Sequence, residues 1–191
     1  LLATLLPFAA LAYNGEMLTL KMHGSKIYPG SVREVKIYIP KQYDGTMPAA
    51  LIVGTDSQET VLAECIDSLV VDGSMPVTIA VVVRPGRILN AKGDVVRYNR
   101  SNEYDRMDGR FASFLEKEVL PQVEQLKCDD GRAILLSKNP SMRAITGSSS
   151  GGICAFNAAW QRPDMFSRVY AMCGTFVPFR GGDQYPALVR K

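Results

Sequence analysis

Apolar residues alternate with polar ones at Leu18, Leu20 and Met22 and again at Val35, Ile37 and Ile39, the period-two pattern of two half-buried strands paired as an antiparallel hairpin. The pattern then changes. Residues 49–53 and 77–83 are unbroken apolar runs of strand length, as expected of parallel strands covered on both faces. Between them Val61, Leu62, Cys65, Leu69 and Val70 recur at helical spacing, so strand, helix and strand make one crossover unit. Phe111, Phe114, Leu115, Val119, Val123 and Leu126 mark a second amphipathic helix, with a kink expected near Pro121 because proline removes a donor and crowds the preceding turn. Residues 143–146, a helix through Ile153, Ala155, Phe156, Ala158, Ala159 and Trp160, and residues 169–172 repeat the alternation. The pattern predicts a doubly wound α/β domain with a mostly parallel sheet and an N-terminal antiparallel hairpin. Residues 84–107 show no clear periodicity and read as a long loop at the carboxyl edge of the sheet, where open α/β folds bind ligands. Arg100, Glu103 and Tyr104 are its candidate substrate-binding residues, with a structural ion pair and a buried ring as the alternative.

Composition narrows the function classes. The 191 residues make one domain, and a net charge of +3 from 22 basic and 19 acidic residues is a mild imbalance. The densest basic group, Arg97, Arg100, Arg106 and Arg110, is interleaved with Asp94, Glu103, Asp105 and Asp108, a solvated loop rather than the basic stripe that nucleic-acid binding requires. No apolar run reaches the ~20 residues of a membrane span. Cys65, Cys128, Cys154 and Cys173 have neither C-x-x-C spacing nor a histidine cluster nearby, which argues against a metal, and small buried thiols are expected. No cofactor is implied. Asn99-Arg100-Ser101 fits a glycosylation sequon, relevant only to an exported product.

The chemistry lies in Gly147-Ser148-Ser149-Ser150-Gly151. The bare G-x-S-x-G pattern arises by accident in roughly one chain in fifteen of this size, so its context carries the argument: a β-branched stretch ends at Thr146 and a helix-forming run follows. This is the order of a nucleophile elbow, in which the central serine, Ser149, is exposed on a tight strand-to-helix turn. A serine hydroxyl needs a base, and in this fold the partners follow as Ser, then an acid, then His. His23 is the single histidine of the chain and reads as a strand or hairpin residue; no histidine follows Ser149, and Asp164 and Asp183 are the only acids that do. Residues 1–12 form an apolar run ending in Ala10-Leu11-Ala12, read as the remnant of a secretory signal peptide, or else as a buried N-terminal helix or strand. The chain therefore reads as a fragment of a secreted or periplasmic protein, with the domain occupying residues 13–191 and truncated at its C-terminus.

Tyr38-Ile39-Pro40 with Gln42-Tyr43, Pro85-Gly86, Arg100-Ser101-Asn102-Glu103-Tyr104-Asp105, the elbow with Gly152 and Ala155, and Arg162-Pro163-Asp164-Met165-Phe166 with Gly174-Thr175-Phe176 resemble the enterochelin-esterase-like, or esterase D-like, branch of the α/β-hydrolases over residues 32–191. The resemblance implies a serine hydrolase acting on a small-molecule ester or lactone with Ser149 as nucleophile. It further implies that the family's acid and histidine lie beyond residue 191, that Asp164 holds a structural position, and that backbone N–H groups at Asp56 or Ser57 join that of Ser150 in an oxyanion hole. Gly54-Thr55-Asp56-Ser57 departs from the Asp-Gly that relatives often carry there. An acyltransferase on the same fold, or a ligand-binding protein that lost the base, remains the competing reading. Residues 1–191 expressed alone are expected to lack ester turnover, because no histidine follows Ser149; full activity of that segment, measured beside a product extended past Lys191, would refute the expectation.

Overall fold

The computed structural model describes residues 13–174, 176 and 181–189; the apolar run at 1–12 and the last two residues lie outside the described residues. Strands β1 (Glu16–Met22) and β2 (Ser31–Ile39) form the expected antiparallel hairpin, with Glu16 opposite Ile39 and Met22 opposite Arg33. β3 (Ala50–Thr55), α1 (Glu59–Val71) and β4 (Thr78–Val83) form the crossover unit, β3 and β4 pairing in parallel.

The segment read as a long loop is largely ordered. It folds into a small hairpin of β5 (Arg87–Leu89) and β6 (Val95–Tyr98), followed by the five-residue helix α2 (Arg100–Tyr104). Strands of three and four residues and a helix of little more than one turn are too short to show a period, which is why the pattern missed them.

The second amphipathic helix is made of α3 (Arg110–Phe114), a π-helical stretch (Leu115–Val119) and α4 (Leu120–Val123). The disturbance expected near Pro121 takes the form of this π stretch, in which the Leu120 N–H reaches back to the Leu115 carbonyl. Widening the turn ahead of the proline moves the carbonyl that its ring would otherwise strike. β7 (Arg143–Ser148), α5 (Ser150–Gln161), β8 (Arg168–Met172) and α6 (Tyr185–Val189) follow.

The sheet order is β6-β5-β2-β4-β3-β7-β8, with β1 on β2. β4, β3, β7 and β8 run parallel to one another, so the doubly wound α/β class holds. From β3 the chain crosses to β4 on one side, and it later places β7 on the other side of β3. Two right-handed crossovers travelling in opposite directions put their helices on opposite faces. On the α1 face, Ala63 and Ile66 pack on Tyr38 and Ala80; on the other, Phe111, Phe114, Leu115, Cys154, Ala155 and Ala158 close over Val35, Ile37, Val53, Val81 and Ile145. Tyr38 adds a polar tie on the α1 face, where its hydroxyl donates to the buried Asp67 carboxylate while accepting the Gly15 N–H.

The expectation of small buried thiols holds for Cys128 and Cys154 only. Cys65 and Cys173 are exposed, and all four are free thiols. Cys65 lies beside the buried stripe of α1, which runs through Ala63, Ile66 and Asp67, and Cys173 directly follows β8. Among the described residues, no helix is long and apolar enough to cross a membrane.

Candidate active site

The sheet reverses its winding between β3 and β7, and the crevice beyond the carboxyl ends of two such strands is where an open α/β sheet can admit a ligand. β3 ends at Thr55 and β7 at Ser148, so Asp56 and Ser149 are the first residues past this switch point.

Ser149 links β7 to α5 with φ 56° and ψ −126° and is exposed. A non-glycine residue in such a conformation costs on the order of 1–3 kcal/mol and persists only where its surroundings enforce it. They do so here. The Ser149 N–H donates to the Met172 carbonyl of β8 at 2.9 Å, and the Ser149 carbonyl accepts from Ile153 at 3.1 Å. A Cβ on Gly147 would lie 2.2 Å from both the Gly151 carbonyl oxygen and Thr55 Oγ1, and one on Gly151 would lie 2.3 Å from Thr55 Oγ1. Both positions therefore exclude any side chain. Ser150, the first residue of α5, has no intrahelical partner for its N–H, which faces the same end of the helix as the nucleophile.

On the β3 side, Asp56 also has a positive φ, 58°. Its N–H donates to Tyr104 Oη at 3.1 Å, and the Tyr104 hydroxyl in turn donates to the Val83 carbonyl at 2.8 Å. The Asp56 N–H is thus already engaged, whereas the exposed Ser57 has no hydrogen-bond partner for its N–H among the described residues. The Asp56 carboxylate accepts from Arg100 Nε at 2.7 Å and Nη2 at 2.8 Å, and this pairing holds the Arg100 guanidinium above its ordinary range. Burial pushes both the Tyr104 phenol and the Cys154 thiol behind the elbow well up, so neither ionises near neutrality.

Glu103 lies elsewhere. Its carboxylate takes a bidentate pair from Arg33 at 2.6 and 2.8 Å and the Gly86 N–H at 3.2 Å, with both side chains almost wholly buried. The Arg33 guanidinium stacks 4.3 Å from the Phe114 ring centroid. Of the three residues proposed to line a substrate site, then, Arg100 reaches the elbow side through Asp56, Tyr104 lies buried beneath the Asp56 turn, and Glu103 belongs to an interior ion pair.

A groove of about 210 Å3 opens beside this turn, lined by Glu34, Asp56, Ser57, Arg84, Arg87 and Tyr98 among others. Tyr98, 72% exposed, and Arg87 were not singled out by sequence pattern, since the hairpin that carries them was not. A larger cavity of about 410 Å3 lies at the opposite, amino ends of β3, β4, β7 and β8, between Ala50, Thr78, Arg143 and Arg168, and shares no residue with the elbow.

His23 is exposed just past β1, and β1, β2, β4, β3 and β7 are successive neighbours in the sheet. Four strand spacings of ~4.8 Å put it about 19 Å from the end of β7, beyond reach of Ser149 Oγ.

A strained, exposed serine between a parallel strand and a helix, at the switch point of a doubly wound sheet, is the defining arrangement of the α/β-hydrolases. The chain belongs to the esterase family whose description is "Putative esterase", the match covering residues 27–181. No curated protein matches the chain. Among solved structures, the ferric enterobactin esterase of Salmonella typhimurium is similar at 20% identity and TM-score 0.65, covering 86% of this chain and 38% of its own. An enterochelin esterase of Shigella flexneri is similar at 18% and 0.65, covering 90% and 41%. A ferulic acid esterase of the anaerobic fungus Anaeromyces mucronatus is similar at 18% and 0.58, covering 82% and 58%. At these identities the likeness is one of fold. The chain spans about two fifths of the length of the enterobactin esterases and under two thirds of that of the ferulic acid esterase.

Removing one partner of the interior pair leaves a buried charge without compensation. Glu103→Ala is therefore expected to lower stability by about 3–5 kcal/mol in denaturant unfolding; a loss below about 1 kcal/mol would show that Glu103 is not the structural anchor described.

Proposed function

We propose that this chain carries the nucleophile of a serine esterase that cleaves a carboxylic ester or lactone through an acyl-enzyme on Ser149. The observation that supports it is the Ser149 turn itself, an exposed hydroxyl held at φ 56° by close backbone contacts that tolerate only glycine at 147 and 151. Ser149 Oγ attacks the carbonyl carbon, its proton passes to a general base, and the oxyanion takes hydrogen bonds from the N–H groups of Ser150 and Ser57. The alkoxide leaves with that proton, and water then repeats the sequence on the acyl-enzyme to release the acid. Each oxyanion donor is typically worth ~3 kcal/mol in the transition state.

His23 cannot serve as the base from its place beyond β1, so turnover is proposed for the gene product that contains this chain. An acid and then a histidine in the frame past Lys191 would support the enzyme, and their absence would favour a ligand-binding protein that lost the base. The same nucleophile would serve acyl transfer if a hydroxyl acceptor replaced water. Membership in an esterase family supports ester cleavage over the other readings. The apolar run at residues 1–12 supports export.

In the full gene product, Ser149→Ala is expected to lower kcat for a simple aryl ester about a millionfold, and unchanged hydrolysis would refute the assignment. His23→Ala is expected to leave kcat within a few-fold; a collapse of turnover in a folded His23→Ala protein would instead make it the base.

A further inference from the structure

Asp56 places a carboxylate where the proposed chemistry tolerates it badly. A Cβ on Gly151 would lie 2.8 Å from Asp56 Oδ2, so the carboxylate rests against the first turn of α5. The free N–H groups of that turn are the ones offered to a developing oxyanion. A negative charge there is stabilised by the helix terminus in the resting protein, but it repels a second negative charge formed beside it.

Arg100 meets this carboxylate with two parallel N–H···O bonds, at 2.7 and 2.8 Å, the geometry in which a guanidinium fixes both carboxylate oxygens. Four residues on, Tyr104 projects from the same face of α2. It lies beneath the turn, bridging the Asp56 N–H and the Val83 carbonyl, with the Arg100 guanidinium 5.6 Å from its ring centroid. The positive φ of Asp56 is thus held at three points: its N–H, and each of its carboxylate oxygens. The next residue is Ser57, whose N–H remains free among the described residues.

We propose that Arg100 is a positioning residue for ester cleavage: by pairing with and neutralising the Asp56 carboxylate it removes the repulsion that a bare carboxylate would exert on the oxyanion formed beside the Ser57 N–H. The inference rests on Ser149 being the nucleophile. It assigns Arg100 a role through Asp56, in place of direct contact with substrate.

The test is steady-state hydrolysis of an aryl ester by the full gene product and its Arg100→Gln, Asp56→Asn and Asp56→Asn/Arg100→Gln variants, with thermal unfolding of each. Arg100→Gln is expected to lower kcat about a hundredfold with KM changed little, because the exposed charge acts on the transition state. Asp56→Asn should lose less than Arg100→Gln. The double variant should recover most of the loss, since removing the carboxylate removes what Arg100 compensates. A double variant no faster than Arg100→Gln, or Arg100→Gln with unchanged kcat, overturns the proposal, as does a loss carried wholly by KM, which would mean direct substrate contact. Should Arg100→Gln fail to fold, Arg100→Lys keeps the charge without the fork: kcat between that of the parent and a tenth of it supports the proposal, and a deeper loss overturns it. Failure of the nucleophile assignment is seen separately, as turnover surviving Ser149→Ala.

Discussion

The molecule turns on one close approach, that of the end of β7 and the first turn of α5 against the end of β3. Gly147, Gly151 and Thr55 occupy the same small volume, and the room a single methyl group needs is already taken. Thr55 Oγ1 is buried there without a hydrogen-bond partner among the described residues. The contact fixes how far β3 and β7 extend past the sheet. It thereby sets Asp56 and Ser149 beside each other and enforces the positive φ at both. Parallel pairing is a precondition, since only strands running the same way deliver both carboxyl ends to one crevice.

Around that contact, α2 acts as a tie despite being five residues long. Arg100 reaches Asp56, Tyr104 joins the ends of β3 and β4, and Glu103 pairs with Arg33 of β2 and the Gly86 N–H. An isolated helix of that length has no stability of its own. It is held by its side chains, and those side chains hold the turns that carry the site. The Arg33–Glu103 pair buries two charges, a costly arrangement unless every donor and acceptor is met. Here the carboxylate is met by three donors and the guanidinium is also stacked on Phe114. Direction, more than net stability, is what such a pair contributes: it locks β2, the β4–β5 turn and α2 in one register.

Away from the site the sheet is more open. β6, which pairs with β5 alone, exposes all four of its residues. Edge strands present unpaired backbone groups and, when apolar, invite association. Arg87 and Arg97 stand on or beside this strand and oppose such stacking by charge.

Much of this was legible in the residue pattern, for a physical reason. Continuous apolar runs at β3 and β4 follow from burial on both faces, and the helical stripe of α1 follows from burial on one. Both kinds of burial constrain residue type along a whole element. The elbow was legible because steric exclusion at Gly147 and Gly151 leaves one residue choice, so the requirement is written directly into the sequence. The β5–β6 hairpin and α2 were not, because they are too short for a period and are stabilised by partners 21 to 70 residues away, such as Tyr104 with Val83 and Glu103 with Arg33. The same holds for the roles within Arg100-Ser101-Asn102-Glu103-Tyr104. The sequence by itself determined that a charged and an aromatic residue stand together there. Which of them faces the elbow, which is spent on an interior ion pair and which lies buried under a turn was decided by the tertiary structure, because hydrogen-bond partners are chosen by proximity in space and leave no local trace in the chain.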